Sequence, residues 1–251
     1  MPKNRIPMAL PKARAGNQAG ADAGCGVPQV SQLGGIRNEY LQLCLEDEHS
    51  LDLLTDVAEF LANGMVPPAV ATALALSQMT ALRKPNGRVR GICAGETFRR
   101  LVEKTLARQF SQVFRDTVAP ANFGFADRCG CDGLIHMVRA QLEFDDRRTL
   151  LSIDGVGAYD HVSRARMLTE LWRVPELREL VPFVRLWLDR RSTFVWTDDE
   201  GTPFDIPQGE GGEQGAALTP ALFCLAMRPA LEEIQGLRGG VPRRRPRDST
   251  S

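Results

Sequence analysis

Two segments constrain this chain more than anything else in it. Leu151–Ser–Ile–Asp–Gly–Val–Gly–Ala–Tyr–Asp160 ends a short apolar run on a carboxylate, follows it with glycines, and places an aromatic five positions on. Sixty positions after Asp154, Gln214 sits in Gly212–Glu–Gln–Gly–Ala–Ala–Leu–Thr–Pro220. The first segment predicts a short, buried strand over 149–153. The second predicts a Gly-rich loop that opens a helix over 217–235. Glycine lets backbone approach a ligand closely, and an amide side chain bonds a base or sugar. The first amides of the following helix favour an anion. A strand-end carboxylate beside such a loop suggests a metal site next to a nucleotide pocket. A P-loop is excluded, because no Lys-Ser/Thr follows Gly209–Gly215.

The rest of the chain supplies a mixed frame. Residues 1–37 are rich in Gly, Ala and Pro without apolar periodicity and read as a disordered leader. Residues 38–78 hold apolar residues at helical spacing, with Ser50 expected to cap a second helix. Met79–Leu82 and Val89–Cys93 flank Asn86-Gly87, a tight-turn signal, and predict a hairpin. Residues 97–114 place Phe98, Leu101, Val102, Leu106, Phe110, Val113 and Phe114 on one helical face. A loop rich in glycine leads to a helix carrying Leu134, Ile135, Val138 and Leu142. Residues 163–172 and 177–188 read as helices broken near Pro175. Ser192–Thr197 and Thr202–Ile206 flank a second turn at Asp198–Gly201. Residues 236–251, with Arg243–Arg–Arg–Pro–Arg247, abandon the pattern and read as a disordered basic tail.

Bulk properties narrow the classes. The 251 residues carry 31 basic and 31 acidic side chains. That balance hides an excess between residues 83 and 116, where nine Lys/Arg face three acids. Such a stripe is either a phosphate-contacting surface or a solvated helix face. No run reaches the ~18 apolar residues of a membrane span, and the N-terminus lacks the apolar stretch of a secretory signal. Six cysteines and three histidines form no CxxC pair and no zinc quartet.

In order and lettering, the two opening segments resemble the first two palm motifs of reverse transcriptases. Leu82–Arg–Lys–Pro–Asn–Gly–Arg–Val–Arg90, the helix through Arg99 and Lys104, Phe123–Gly–Phe125, and the run from Pro182–Phe183 to Gln214 resemble the fingers and palm blocks of non-LTR retroelement reverse transcriptases. The resemblance covers about residues 79–235. It implies an α/β (α+β) right hand, with fingers at 79–148 and a partial palm at 149–235 behind the N-terminal helices. The implied activity is RNA-directed DNA polymerisation through two divalent ions, Mg²⁺ or Mn²⁺. Asp154 and the Gly155 carbonyl would hold metal. Tyr159 would pack under the sugar and exclude a 2′-hydroxyl. Lys84, Arg90, Gln214 and Gly215 would meet the incoming deoxynucleoside triphosphate. RNA template and DNA primer are the implied partners.

The chain departs from that pattern. Ala216 stands where an acid often follows Gln-Gly, and Gly157 replaces an acid found in some retroviral relatives. The third palm motif, an aromatic-x-Asp-Asp hairpin, is not recognisable: after residue 220 the acids are Glu232, Glu233 and Asp248. Trp196–Thr–Asp–Asp199 imitates it but precedes the glutamine loop, so Asp198 and Asp199 read as turn residues. One carboxylate cannot hold two dications against water, so the chain alone is expected to be inactive. The strand bearing Asp154 is expected to lack a sheet neighbour and to leave an apolar face uncovered. Three readings stay open. They are an enzyme completed by another chain, a remnant that binds nucleic acid through the basic fingers, and an unrelated α/β scaffold binding some other phosphate.

Overall fold

Turn chemistry builds the first hairpin. Pro85, Asn86 and Gly87 cannot continue a strand, and Gly87 takes φ +79°. The Lys84 amide donates to Arg88 O at 2.7 Å, and the Asn86 carboxamide oxygen accepts the Arg88 N–H. This closes β1 (Ser77–Arg83) onto β2 (Val89–Ala94), antiparallel, with Leu82 opposite Arg90. The second hairpin joins β3 (Ser192–Thr197) to β4 (Pro203–Gln208). There the Asp198 carboxylate accepts the Thr202 N–H at 2.7 Å, so Asp198 is a turn residue as expected. Sequence patterning does not show that the hairpins join. Ser77–Met79 pairs in parallel with Phe194–Trp196, giving one sheet of order β2-β1-β3-β4.

The computed structural model describes residues 6–10, 36–125, 128–145 and 147–237. The fold is mixed α/β, mostly helical, with two short hairpins. The helices are α1 (Asn38–Glu46), α2 (Glu48–Ala62), α3 (Pro68–Ala75), α4 (Thr97–Gln109), α5 (Ser111–Val118) and α6 (Gly130–Phe144). After them come the single turn α7 (Ala158–His161), then α8 (Arg164–Arg173), α9 (Val181–Leu188) and α10 (Thr219–Leu237), with a 3₁₀ turn at Pro175–Leu180. The core lies where α2, α4, α5, α8, α9 and α10 converge. Val102, Leu106, Phe114, Met167, Leu171, Leu177, Leu180, Phe183 and Leu225 are fully buried there. Periodicity on these helices is what supplies that face.

Three expectations are corrected. The cap of α2 is Asp47, whose carboxylate accepts the Ser50 N–H at 2.8 Å; Ser50 is the donor. Residues 6–10, assigned to a disordered leader, pack into the core: Ile6, Met8 and Leu10 are buried. Their alternation suits an extended strip with one apolar edge. The Asn63 side chain bonds both the N–H and the carbonyl of Ile6, and the Glu59 carboxylate accepts the Met8 N–H. The remainder of the expected leader, except residues 36 and 37, lies outside the described residues. So does the expected tail from residue 238.

The strand expected at 149–153 is irregular, and it is not buried. Leu150, Leu151, Ile153 and Val156 are 62%, 69%, 82% and 75% exposed. A lone extended segment needs a hydrogen-bonding neighbour to become a strand, and none of the four strands lies beside it. The helix expected after the glycine-rich loop forms as α6, and it buries none of its apolar residues: Leu134, Ile135 and Leu142 are 38–48% exposed.

Candidate functional site

The glycine loop, residues 209–218, is clamped from three sides. On the first side is α7. The Gly211 N–H donates to Val162 O and the Gly212 N–H to Tyr159 O. Gly211 has φ +76°, and a Cβ there would collide with the carbonyl oxygens of Tyr159 and Asp160. On the second side is the end of β2. The Cys93 N–H donates to Gln214 O at 3.3 Å, and a Cβ on Gly215 would come within 2.6 Å of Cys93 O. At Gly215, φ is +123°, which glycine alone adopts readily.

The third side is a buried charge cluster. Glu213 Oε1 accepts from Arg99 Nη1 at 3.0 Å, and its Oε2 accepts from Ser77 Oγ at 3.3 Å. Both charged side chains are almost fully buried, at 3% and 7% exposure. The Arg99 guanidinium lies over the Trp187 ring. A second buried arginine grips the loop's start. The Arg164 N–H donates to Glu210 Oε2, its Nε to Gly211 O, and its Nη groups to Arg190 O and Ser192 Oγ. Glu103 accepts the Leu218 N–H at 3.2 Å, where α10 begins. Burial pushes the Glu103 carboxyl up, with Arg99 opposing.

Tyr159, Gln214 and Gly215 therefore converge. The Gln214 amide donates to both oxygens of Asp160, at 3.1 and 3.2 Å. Tyr159 stands edge-on to Phe223 at 5.0 Å and is 36% exposed, with burial raising its phenol pKa. Desolvation, then Glu213 and Asp160, push the Cys93 thiol up to about 12, so it is an inert packing group. Lys84 and Arg90 are on the first hairpin. Arg90 is exposed, three residues up β2 from Cys93, or about 10 Å along the strand. Lys84 is beyond it, at the turn.

Asp154 and Gly155 lie on the exposed approach to α7. Asp154 has no hydrogen-bond partner among the described residues, and Asp160 is already held by Gln214. Among the described residues no three His, Cys, Asp or Glu side chains are grouped to hold a metal ion. Two divalent ions need more oxygen ligands than Asp154 and one carbonyl. The described residues do not make a two-ion site.

Sequence reasoning missed the cluster beneath the loop. Its signal was there in part: Glu96, Arg99 and Glu103 are spaced by three and four, one helical face, beside the apolar one. Nothing in the lettering pairs Arg99 with Glu213, which is 114 positions away.

No model of a known protein family matches the chain. Over 212 residues it is 24% identical to the retrotransposable element SLACS 132 kDa protein of Trypanosoma brucei gambiense. That alignment takes in 80% of this chain but only 17% of the relative's length. The chain is thus distantly similar to part of a retrotransposable element protein.

Proposed function

We propose that this chain is a fingers-and-partial-palm portion of a retroelement reverse transcriptase, which binds primer–template but does not extend it alone. The observation that carries this reading is the docking of the glycine loop on two other blocks at once. Tyr159–Asp160, Gln214–Gly215 and the end of the basic hairpin strand meet in one place. Those are the blocks to which the resemblance assigns the nucleotide pocket and the phosphate-contacting hairpin. The distant similarity to a retrotransposable element protein supports the same direction. In this role Lys84 and Arg90 contact phosphate, Arg90 through its planar guanidinium. Tyr159 and the backbone at Gly215 face the sugar and base. Gln214 acts by holding Asp160 rather than by touching the ligand with its amide. Mg²⁺ or Mn²⁺ would supply the charge stabilisation of nucleotidyl transfer. It needs carboxylates beyond Asp154, so no catalytic step is assigned to this chain.

The test is primer extension on an RNA template with Mg²⁺ or Mn²⁺, beside Asp154→Ala, with primer–template binding followed against salt. We expect no extension from either protein, and binding whose logarithm falls linearly with log salt. Lys84→Ala and Arg90→Ala should each lower the slope by about one phosphate's worth. Extension by the wild type that Asp154→Ala abolishes would show a completed metal site and overturn the incomplete-palm reading. Absence of binding even at low salt would overturn the nucleic-acid reading as a whole.

A further inference from the structure

Beneath the glycine loop is a small cavity between α4, α9 and the start of α10. Its polar lining is Arg99, Glu103, Arg164, Trp187, Ser192, Glu213 and Thr219, and its volume is about 20 Å³. A single water needs roughly 10–15 Å³ measured this way, so the cavity admits one water and nothing much larger.

Two fully buried donor atoms in this lining have no protein partner: Arg99 Nε–H and Trp187 Nε1–H. Arg99 is 3% exposed and Trp187 6%, so bulk solvent does not satisfy them. They lie together, with the guanidinium carbon 4.1 Å from the Trp187 ring centroid. Several other donors around the cavity are engaged. Arg99 Nη1 is on Glu213, and the three nitrogens of Arg164 are on Gly211 O, Arg190 O and Ser192 Oγ. The acceptors are not spent. A carboxylate offers about four lone-pair directions. Glu213 uses two, for Arg99 and Ser77, and Glu103 takes the Leu218 N–H.

We propose that this cavity is the binding site of one ordered water, which accepts from Arg99 Nε–H and Trp187 Nε1–H and donates to the carboxylates of Glu213 and Glu103. The chemistry of the lining selects the ligand. An anion would face two carboxylates, and a cation would face two guanidinium groups. Water both accepts and donates, so it can meet the two orphaned N–H groups and the open lone pairs of the carboxylates together. Buried polar groups nearly always find such a partner. The water then ties Trp187, on α9, to the ion pair that seats Gln214. This inference is independent of the nucleic-acid reading, since it concerns the support of the loop and not its ligand.

The test is a high-resolution crystal structure of the full chain and of Trp187→Phe, which keeps a ring over Arg99 and removes one donor. The wild type should show one water within about 3 Å of both nitrogens, and Trp187→Phe should lose it or halve its occupancy. In solution, the Trp187 indole proton should show a cross-relaxation peak to a long-lived water. The indole of Trp172, 58% exposed, serves as the fast-exchanging reference. If Trp187→Phe fails to fold, the wild-type measurements decide alone. A direct bond from Trp187 Nε1 to a protein acceptor, a halide or metal ion at the position, or a collapsed cavity would each overturn the proposal.

Discussion

Arg99→Met should be among the most damaging single changes in this protein, because of what it leaves behind. Glu213 would keep its charge at 7% side-chain exposure with the Ser77 hydroxyl as its remaining protein hydrogen bond. Breaking a buried ion pair from one side costs about 3–5 kcal/mol, since the abandoned charge loses its bonded counterion in a site shut off from bulk water. For a chain near this size each kcal/mol moves the melting midpoint about 2–4 °C, so a fall on the order of 10 °C is expected. Arg99→Met with Glu213→Gln should recover much of the loss, because an amide tolerates the dry site better than an unpaired carboxylate. The contrast is the surface pair Arg185–Asp189, 62% and 38% exposed, where Arg185→Met should cost at most about 1 kcal/mol. Urea unfolding of these variants, with calorimetric midpoints, is the assay. The reasoning fails if Arg99→Met loses less than about 1 kcal/mol, or if the double variant is worse than the single by the full cost of a second independent loss.

Three other expectations follow from named residues. The Glu103 carboxyl is raised above its ordinary 4.5 chiefly by burial, so its contribution is fully present below that value and is lost as pH rises through the folded pKa. Glu103→Gln, which still accepts the Leu218 N–H, should therefore gain on the wild type as pH rises above 4.5; parallel urea midpoints between pH 4 and 8 would refute this. Leu151→Ser and Ile153→Ser, at residues 69% and 82% exposed, should each change stability by less than about 0.5 kcal/mol. A loss above 1 kcal/mol in the same unfolding series would mean that the segment packs as a strand after all. Gly215→Ala, at φ +123° and 2.6 Å from Cys93 O, should cost about 1–3 kcal/mol and weaken primer–template binding. An unchanged melting curve would show that the loop does not sit against β2.

Local signals were legible where local chemistry decides the outcome. Asn86-Gly87 and Asp198–Gly201 set two turns, Pro175 broke a helix, and the period of Phe98, Val102 and Leu106 set the buried face of α4. The two segments that the sequence singled out do dock on each other, Gly212 on Tyr159 O and Gln214 on Asp160. Local reasoning failed at residues 149–153, since an apolar run becomes a strand only beside a partner. It failed at Ile6, Met8 and Leu10 because three alternating residues are too short a signal against a Pro- and Gly-rich background.

By itself the sequence determined where the chain turns and which helices carry a buried face. Those follow from backbone preferences and from the periods of 3.6 and 2. Only the tertiary structure decided that the two hairpins share one sheet and that Asp160 is taken by Gln214. It also decided that Glu213, Arg99 and Arg164 form the buried cluster under the loop. Each of these pairs residues roughly 50 to more than 110 positions apart. No short-range pattern encodes such pairings. They arise because a buried charge must find its counterion and a strand its neighbour wherever the packed helices place them.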